Sequence, residues 1–191
     1  MDKLFFFVTS TKAYKDAYGF HKNFFVDEGA FFIGLLLAFI IGVVAALIFY
    51  YGCCNSEKTR KNANFGTWVI SLIVAGVATF LIADFIIIGA PKVKGNNSLF
   101  KSYSFYMANE KYYKEKVKKA PDPKAVKPIL DEKNEIAKNL DSQKDVRIPY
   151  SAGCAVYSLI FFFICSIVVK GTTRHGAVIP FKWSLNNITS K

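Results

Sequence analysis

Charge is missing from three long stretches of this chain, and no other absence constrains it so strongly. Residues 30–51 carry no charged side chain, residues 152–169 carry none, and residues 67–90 carry only Asp84. Catalytic signatures are missing too. Histidine occurs twice, as His21 and His175, and no Gly-rich phosphate loop, HExxH, GxSxG or CxxC motif is present. Arginine forms no cluster and no base-stacking module accompanies the lysines. The net charge of +11 therefore does not point to nucleic acid. No catalytic residue, cofactor site or metal site is expected.

What is there is apolar and unevenly spread. The three apolar blocks are 22, 24 and 18 residues long. At a helical rise of ~1.5 Å per residue they span roughly 33, 36 and 27 Å, against a hydrocarbon layer of ~30 Å. Soluble core helices rarely lack a polar face for so long. The expected fold is an all-α integral membrane protein with transmembrane helices at 30–51, 67–90 and 152–169. A 15-residue loop at 52–66 and a basic, helical loop of about 60 residues at 91–151 connect them. An interfacial segment at 1–29 precedes the spans, and a short tail at 170–191, whose β-formers and Pro180 suggest an extended segment, follows. Tyr50, Tyr51, Trp68 and Tyr150 stand at predicted span ends, and Trp183 stands in the tail; amphipathic rings at such places anchor to headgroups. The start MDKLFFFVTS lacks the charge and apolar length of a secretory signal, so the mature chain is expected to begin near residue 1.

Three crossings put the ends on opposite sides. Residues 1–29 and 91–151 hold 18 lysines and arginines, against 7 for residues 52–66 and 170–191. The positive-inside rule thus favours a cytoplasmic N-terminus and large loop, although the densities nearly tie. The sequons Asn96-Asn97-Ser98 and Asn187-Ile188-Thr189 fall on opposite sides and decide nothing. Juxtamembrane lysines suit anionic headgroups.

Outside the spans, Tyr14, Tyr18, His21 and Phe25 recur at helical spacing and predict one interfacial face, flanked by Lys12, Lys15 and Lys22. In the large loop, helices are predicted from about Leu99 to Lys119 and from Pro128 to Leu140, the latter opened by its proline.

Inside the spans, small residues repeat every four positions. Gly34, Ala38, Gly42 and Ala46 line one face of the first; Ser71, Ala75, Thr79 and Ala83 line one face of the second. Such rows let backbones approach where lipid supplies no hydrophobic drive. The third span is expected to touch other helices near its small-residue start, 151–155, and lipid elsewhere. Asp84 is the one intramembrane charge. No Lys, Arg or His falls inside a predicted span, so its partner is expected to be Lys92 or Lys94 reaching back, a hydroxyl such as Thr79, or a cation on another subunit. Its roles range from an ion or proton site, through an assembly contact, to a hydrated aspartate near the interface. Transport is disfavoured because no predicted span contains proline, no second carboxylate or histidine offers a relay, and no repeat is visible. Cys53-Cys54 are vicinal at a membrane boundary, a place for packing or acylation.

The expected function is a non-catalytic structural or anchoring subunit, joined to other membrane-protein subunits through small-residue faces and peripheral segments, such as in a secretion or other envelope assembly. The second reading is an oligomeric channel or ion-coupled subunit using Asp84.

Overall fold

A computed structural model describes residues 3–16, 18–27, 29–55, 58–59, 63–85, 105–140 and 144–173. Among these residues every regular element is helical. Three short helices, α1 (Phe6–Thr9), α2 (Lys12–Asp16) and α3 (Tyr18–Lys22), lead into a π-helical turn at Asn23–Asp27. Then come α4 (Ala30–Leu47, widening into a π turn at Ile48–Cys53), α5 (Phe65–Ile82), α6 (Phe105–Lys118), α7 (Pro123–Leu140) and α8 (Lys144–Val169). Three helices are long and apolar enough to cross a membrane: Ala30–Cys53, Phe65–Phe85 and Val146–Thr172.

Local chemistry sets several boundaries. Thr11 caps α2 by accepting the Tyr14 N–H on its hydroxyl at 3.2 Å, and Asn64 caps α5 by accepting the Thr67 N–H at 2.9 Å. Gly29 has φ of +80°, a left-handed conformation that favours glycine, and α4 begins at the next residue. Pro123, not Pro128, opens α7, with Asp122 before it; Pro128 is interior. There it leaves the Lys124 carbonyl without its intrahelical donor, on a side of α7 where Lys124 is exposed. The predicted start at Pro128 was therefore five residues late.

The chain divides into two compact units. One comprises Met1–Gly34 and Leu81–Gly153, the other Leu35–Phe80 and Cys154–Lys191.

In the second unit, parts of α4, α5 and α8 pack through small residues. Ala38, Gly42 and Ala46 are all buried. A Cβ added at Gly42 would lie 2.6 Å from the Ser158 carbonyl oxygen and 3.0 Å from the Phe161 Cβ, so α4 meets the backbone of α8 there. A Cβ at Gly76 would meet Leu159 Cδ2 at 2.9 Å. Trp68 is buried against Phe162, ring centroids 5.7 Å apart, and its indole N–H donates to Ser166 Oγ at 3.1 Å. Ala46, Phe49, Tyr50, Cys54, Trp68, Ala75 and Phe162 form one core cluster. On α8 the buried positions Cys154, Ser158, Phe162 and Ser166 repeat every four residues. The third helix thus meets its neighbours along much of its length, not only near its start; Phe162 interrupts the row of small residues and hides it from inspection.

The opposite faces are large and apolar. Leu36, Phe39, Val44 and Ile48 are exposed after α4 enters this unit, Ile70, Val74 and Val77 on α5, and Val156, Ile160, Ile164 and Val168 on α8. Small and hydroxyl-bearing side chains turn inward and bulky aliphatic ones outward, the reverse of the order water imposes.

In the first unit, α6 and α7 form a hairpin. The buried Tyr113 hydroxyl donates to Glu132 Oε1 at 2.9 Å, Lys116 reaches Glu132 Oε2 at 2.8 Å, and Lys133 lies 4.0 Å from Glu110. Burial, with the Glu132 carboxylate holding the phenolic proton, pushes Tyr113 well above the ordinary tyrosine range.

The two glycine contacts differ in what must yield. Gly42→Ala pushes against a backbone carbonyl and should cost about 1–3 kcal/mol, whereas Gly76→Ala displaces only the end of a leucine and should cost under about 1 kcal/mol. Thermal unfolding in detergent micelles checks the order; equal losses would remove the proposed close approach at Gly42.

Candidate functional site: an ion pair beside an aromatic bed

Asp84 lies in a wide turn, Ala83–Phe85, that continues α5. It is 7% exposed, a burial that a carboxylate tolerates only with partners. The partner is Arg147, the fourth residue of α8. Its Nε donates to Asp84 Oδ1 and its Nη2 to Oδ2, a two-pronged contact that uses both carboxylate oxygens. The guanidinium also lies 6.0 Å from the Phe85 ring centroid. This corrects the expectation that no ion-pair partner exists on a span of the same chain. The third helix begins at Lys144 and its candidate membrane span at Val146, so Arg147 and Pro149 belong to it. Both residues look like loop when hydropathy alone sets the boundary. The expectation that no span contains proline falls with it. Thr79 is not the partner either, since its hydroxyl donates to the Ala75 carbonyl at 2.8 Å. Lys92 and Lys94 lie outside the described residues.

Beside the pair in sequence, Tyr150 and Ser151 are buried on α8. The Tyr150 hydroxyl donates to the Ala30 carbonyl at 2.7 Å. Its ring sits among Phe5 at 5.8 Å and Phe25 at 5.3 Å, and Phe31 stacks on those two at 4.5 and 4.8 Å. Phe31 at the start of α4 and Tyr150, the seventh residue of α8, therefore hold the N-terminal segment on an aromatic bed. Phe7 lies directly over Gly153, where any Cβ would strike its ring. Further along, Tyr112 of α6 covers Gly19 and sits 6.0 Å from Phe20.

The predicted interfacial face on residues 1–29 is only partly open. Tyr14, His21 and Phe25 are buried, with Tyr14 and His21 stacked at 5.3 Å, while Tyr18 is exposed. Their helical spacing marks a face correctly read as special, but protein covers most of it. The proposed ring anchors divide likewise. Tyr50, Trp68 and Tyr150 are buried inside protein, Tyr51 is half exposed with its hydroxyl 3.3 Å from Thr172 Oγ1, and Trp183 lies outside the described residues. A large ring at a helix end gains as much from filling a core as from a headgroup, and sequence does not separate the two.

The small-residue rows are placed as follows: Gly34, Ala38, Gly42 and Ala46 are buried, as are Ala75, Thr79 and Ala83, and Ser71 is half-buried with its hydroxyl donating to the Thr67 carbonyl. Reasoning from sequence missed Arg147, Ser158, Leu159 and Ser166. Continuing the four-residue count back from Ser166 would have found Ser158 and Cys154.

Chemically, the arrangement pairs two opposite charges, the carboxylate buried and the guanidinium partly exposed; among the described residues it presents no nucleophile beside a base. Among the described residues no group of three or more His, Cys, Asp or Glu is placed to hold a metal ion. The four cysteines are free thiols. Comparison with protein-family models, with curated proteins and with solved structures gave no match in any of the three.

The ion pair predicts a specific pattern of coupling. Asp84→Asn or Arg147→Gln alone leaves one charge buried without its partner and should cost about 3–5 kcal/mol. The double variant Asp84→Asn/Arg147→Gln should recover most of that loss. A double-mutant cycle read by thermal unfolding checks it; strictly additive losses would show the contact to be idle.

Proposed function

We propose that this chain is an integral membrane protein of three crossings whose role is structural, as a non-catalytic anchoring subunit of a larger membrane assembly. The single observation carrying this reading is where its unusual residues go. The small-residue rows, the aspartate and the arginine are all engaged inside the chain, each within its own compact unit. In the first unit the α6–α7 hairpin and the N-terminal segment are likewise held by side-chain contacts. Joining other subunits through small-residue faces, as the rows alone suggested, does not suit faces already covered. The remaining surfaces are the exposed aliphatic sides of the three long helices and the hairpin, and these are the proposed contacts with other membrane proteins. Juxtamembrane lysines face anionic headgroups. A transport role for Asp84 fits less well, because a carboxylate held at both oxygens by an arginine must break that contact before it can take up a proton or ion.

Gentle extraction and native mass measurement test the assembly. A particle several times heavier than 21.4 kDa is expected, and a solitary 21.4 kDa chain would overturn the anchoring role.

By the positive-inside rule, the N-terminus and the hairpin lie in the cytoplasm, and the C-terminus and Cys53-Cys54 on the other side. Cys53 is half-buried, whereas Cys54 is fully buried; burial first, and then the Cys53 thiol, push Cys54 up to about 11, so it stays a thiol at neutral pH. A membrane-impermeant maleimide should therefore modify Cys53, and not Cys54, from the outer face. Modification from the cytoplasmic face alone would invert this orientation.

A further inference from the structure

The hairpin distributes its charge unequally along its length. Toward its base two acids are engaged, Glu132 accepting both Tyr113 and Lys116 and Glu110 facing Lys133, while Glu115 and Asp131 are exposed. Toward its tip, Lys118, Lys119, Lys124 and Lys127 are all exposed, and residues 118–127 contain a single acid, Asp122. Among the described residues none of these four lysines is in an ion pair. Pro121 and Pro123 stiffen the turn between them. Tyr112 fixes α6 on the N-terminal segment six residues before Lys118, so the basic end extends about 9 Å further along the helix. We propose that this tip is a binding surface for anionic lipid headgroups.

Composition selects that partner. Residues 118–127 hold neither arginine nor any aromatic side chain. Arginine supplies the planar fork for discrete phosphate recognition, and aromatic rings supply the platforms that nucleic-acid bases stack on. Four lysines on flexible stems instead suit a diffuse field of negative headgroups, which attracts each charge independently of its geometry. Reach points the same way. Only residues 141–143 separate α7 from α8, so the tip lies no further than about 40 Å from the start of a long apolar helix, the sum of ~27 Å for α7 and the greatest reach three residues allow. A bilayer around that helix presents headgroups to the tip at a far higher local concentration than any soluble polyanion. The proposal rests on the membrane reading above.

The test uses the full chain carrying Ala120→Cys labelled with a fluorophore, in a Cys53→Ser background, reconstituted in lipid nanodiscs. One set of discs is phosphatidylcholine alone; the other contains one-third phosphatidylserine. Both carry a small fraction of lipid with a nitroxide on its headgroup. Several-fold stronger quenching in the serine discs, abolished by high salt, is expected. The variant Lys118→Gln/Lys119→Gln/Lys124→Gln/Lys127→Gln should lose the effect while keeping its helical circular dichroism. Equal quenching in both lipids, or full quenching in the lysine-free variant, would overturn the proposal. So would a tip indifferent to lipid composition that is shielded by an RNA oligonucleotide or polyglutamate in neutral discs. Failure of the chain to enter discs at all would instead defeat the membrane reading, so the two failures are distinct.

Discussion

Two helix backbones can touch only where a side chain is absent, and that constraint organises the unit built from α4, α5 and α8. At Gly42 the α4 backbone comes so near the Ser158 carbonyl that a single methyl would collide with it. Close approach increases dispersion contact along both helices, the main attraction available when the surroundings are as apolar as the side chains. It also explains the inward placement of Ala38, Ala46, Ala75 and Ser158, since a bulkier residue on those faces would wedge the helices apart. The large residues displaced from the centre go outward, which gives the unit its reversed polarity order.

Charge obeys the same economy of space. Asp84 and Arg147 each would be costly alone at their depth of burial, and together they satisfy both carboxylate oxygens with two N–H groups. The cost of bringing Arg147 onto an apolar helix is offset by the partner waiting in the turn after α5. Two residues on, Pro149 denies the Asp145 carbonyl its usual donor, and the next residue, Tyr150, spans to Ala30. This stretch of α8 is thus irregular in sequence yet closely held by side-chain contacts.

The peripheral elements follow from a shortage of core. Four- and five-residue helices cannot persist alone, and the N-terminal segment that holds α1 to α3 instead buries Phe5, Phe20, Phe24 and Phe25. The α6–α7 hairpin is fastened by Tyr113 and Glu132 and leaned on Gly19 through Tyr112. Its own ion pair, Lys116–Glu132, is about 40% exposed and contributes little against solvent, so the buried tyrosine is the stronger tie.

Composition and period were enough to mark three long apolar helices, because a run of uncharged residues is a local property that no distant contact can disguise. The rows at Gly34–Ala46 and Ser71–Ala83 were legible for the same reason: four-residue spacing puts side chains on one helix face whatever that face meets. What the row at Gly42 meets was not legible, since α8 hides its matching stripe behind Phe162. Nor was the start of α8, because Arg147 and Pro149 resemble loop until Asp84 is seen opposite. The helices belong to the sequence; the partner of Asp84, the cover over Gly42 and the burial of Tyr14, His21 and Tyr150 belong to the tertiary structure. For Asp84, Gly42 and Tyr150 the deciding residues lie tens of positions away, whereas Tyr14 and His21 stack on each other seven positions apart, and a side chain carries no local mark of which neighbour will complete it.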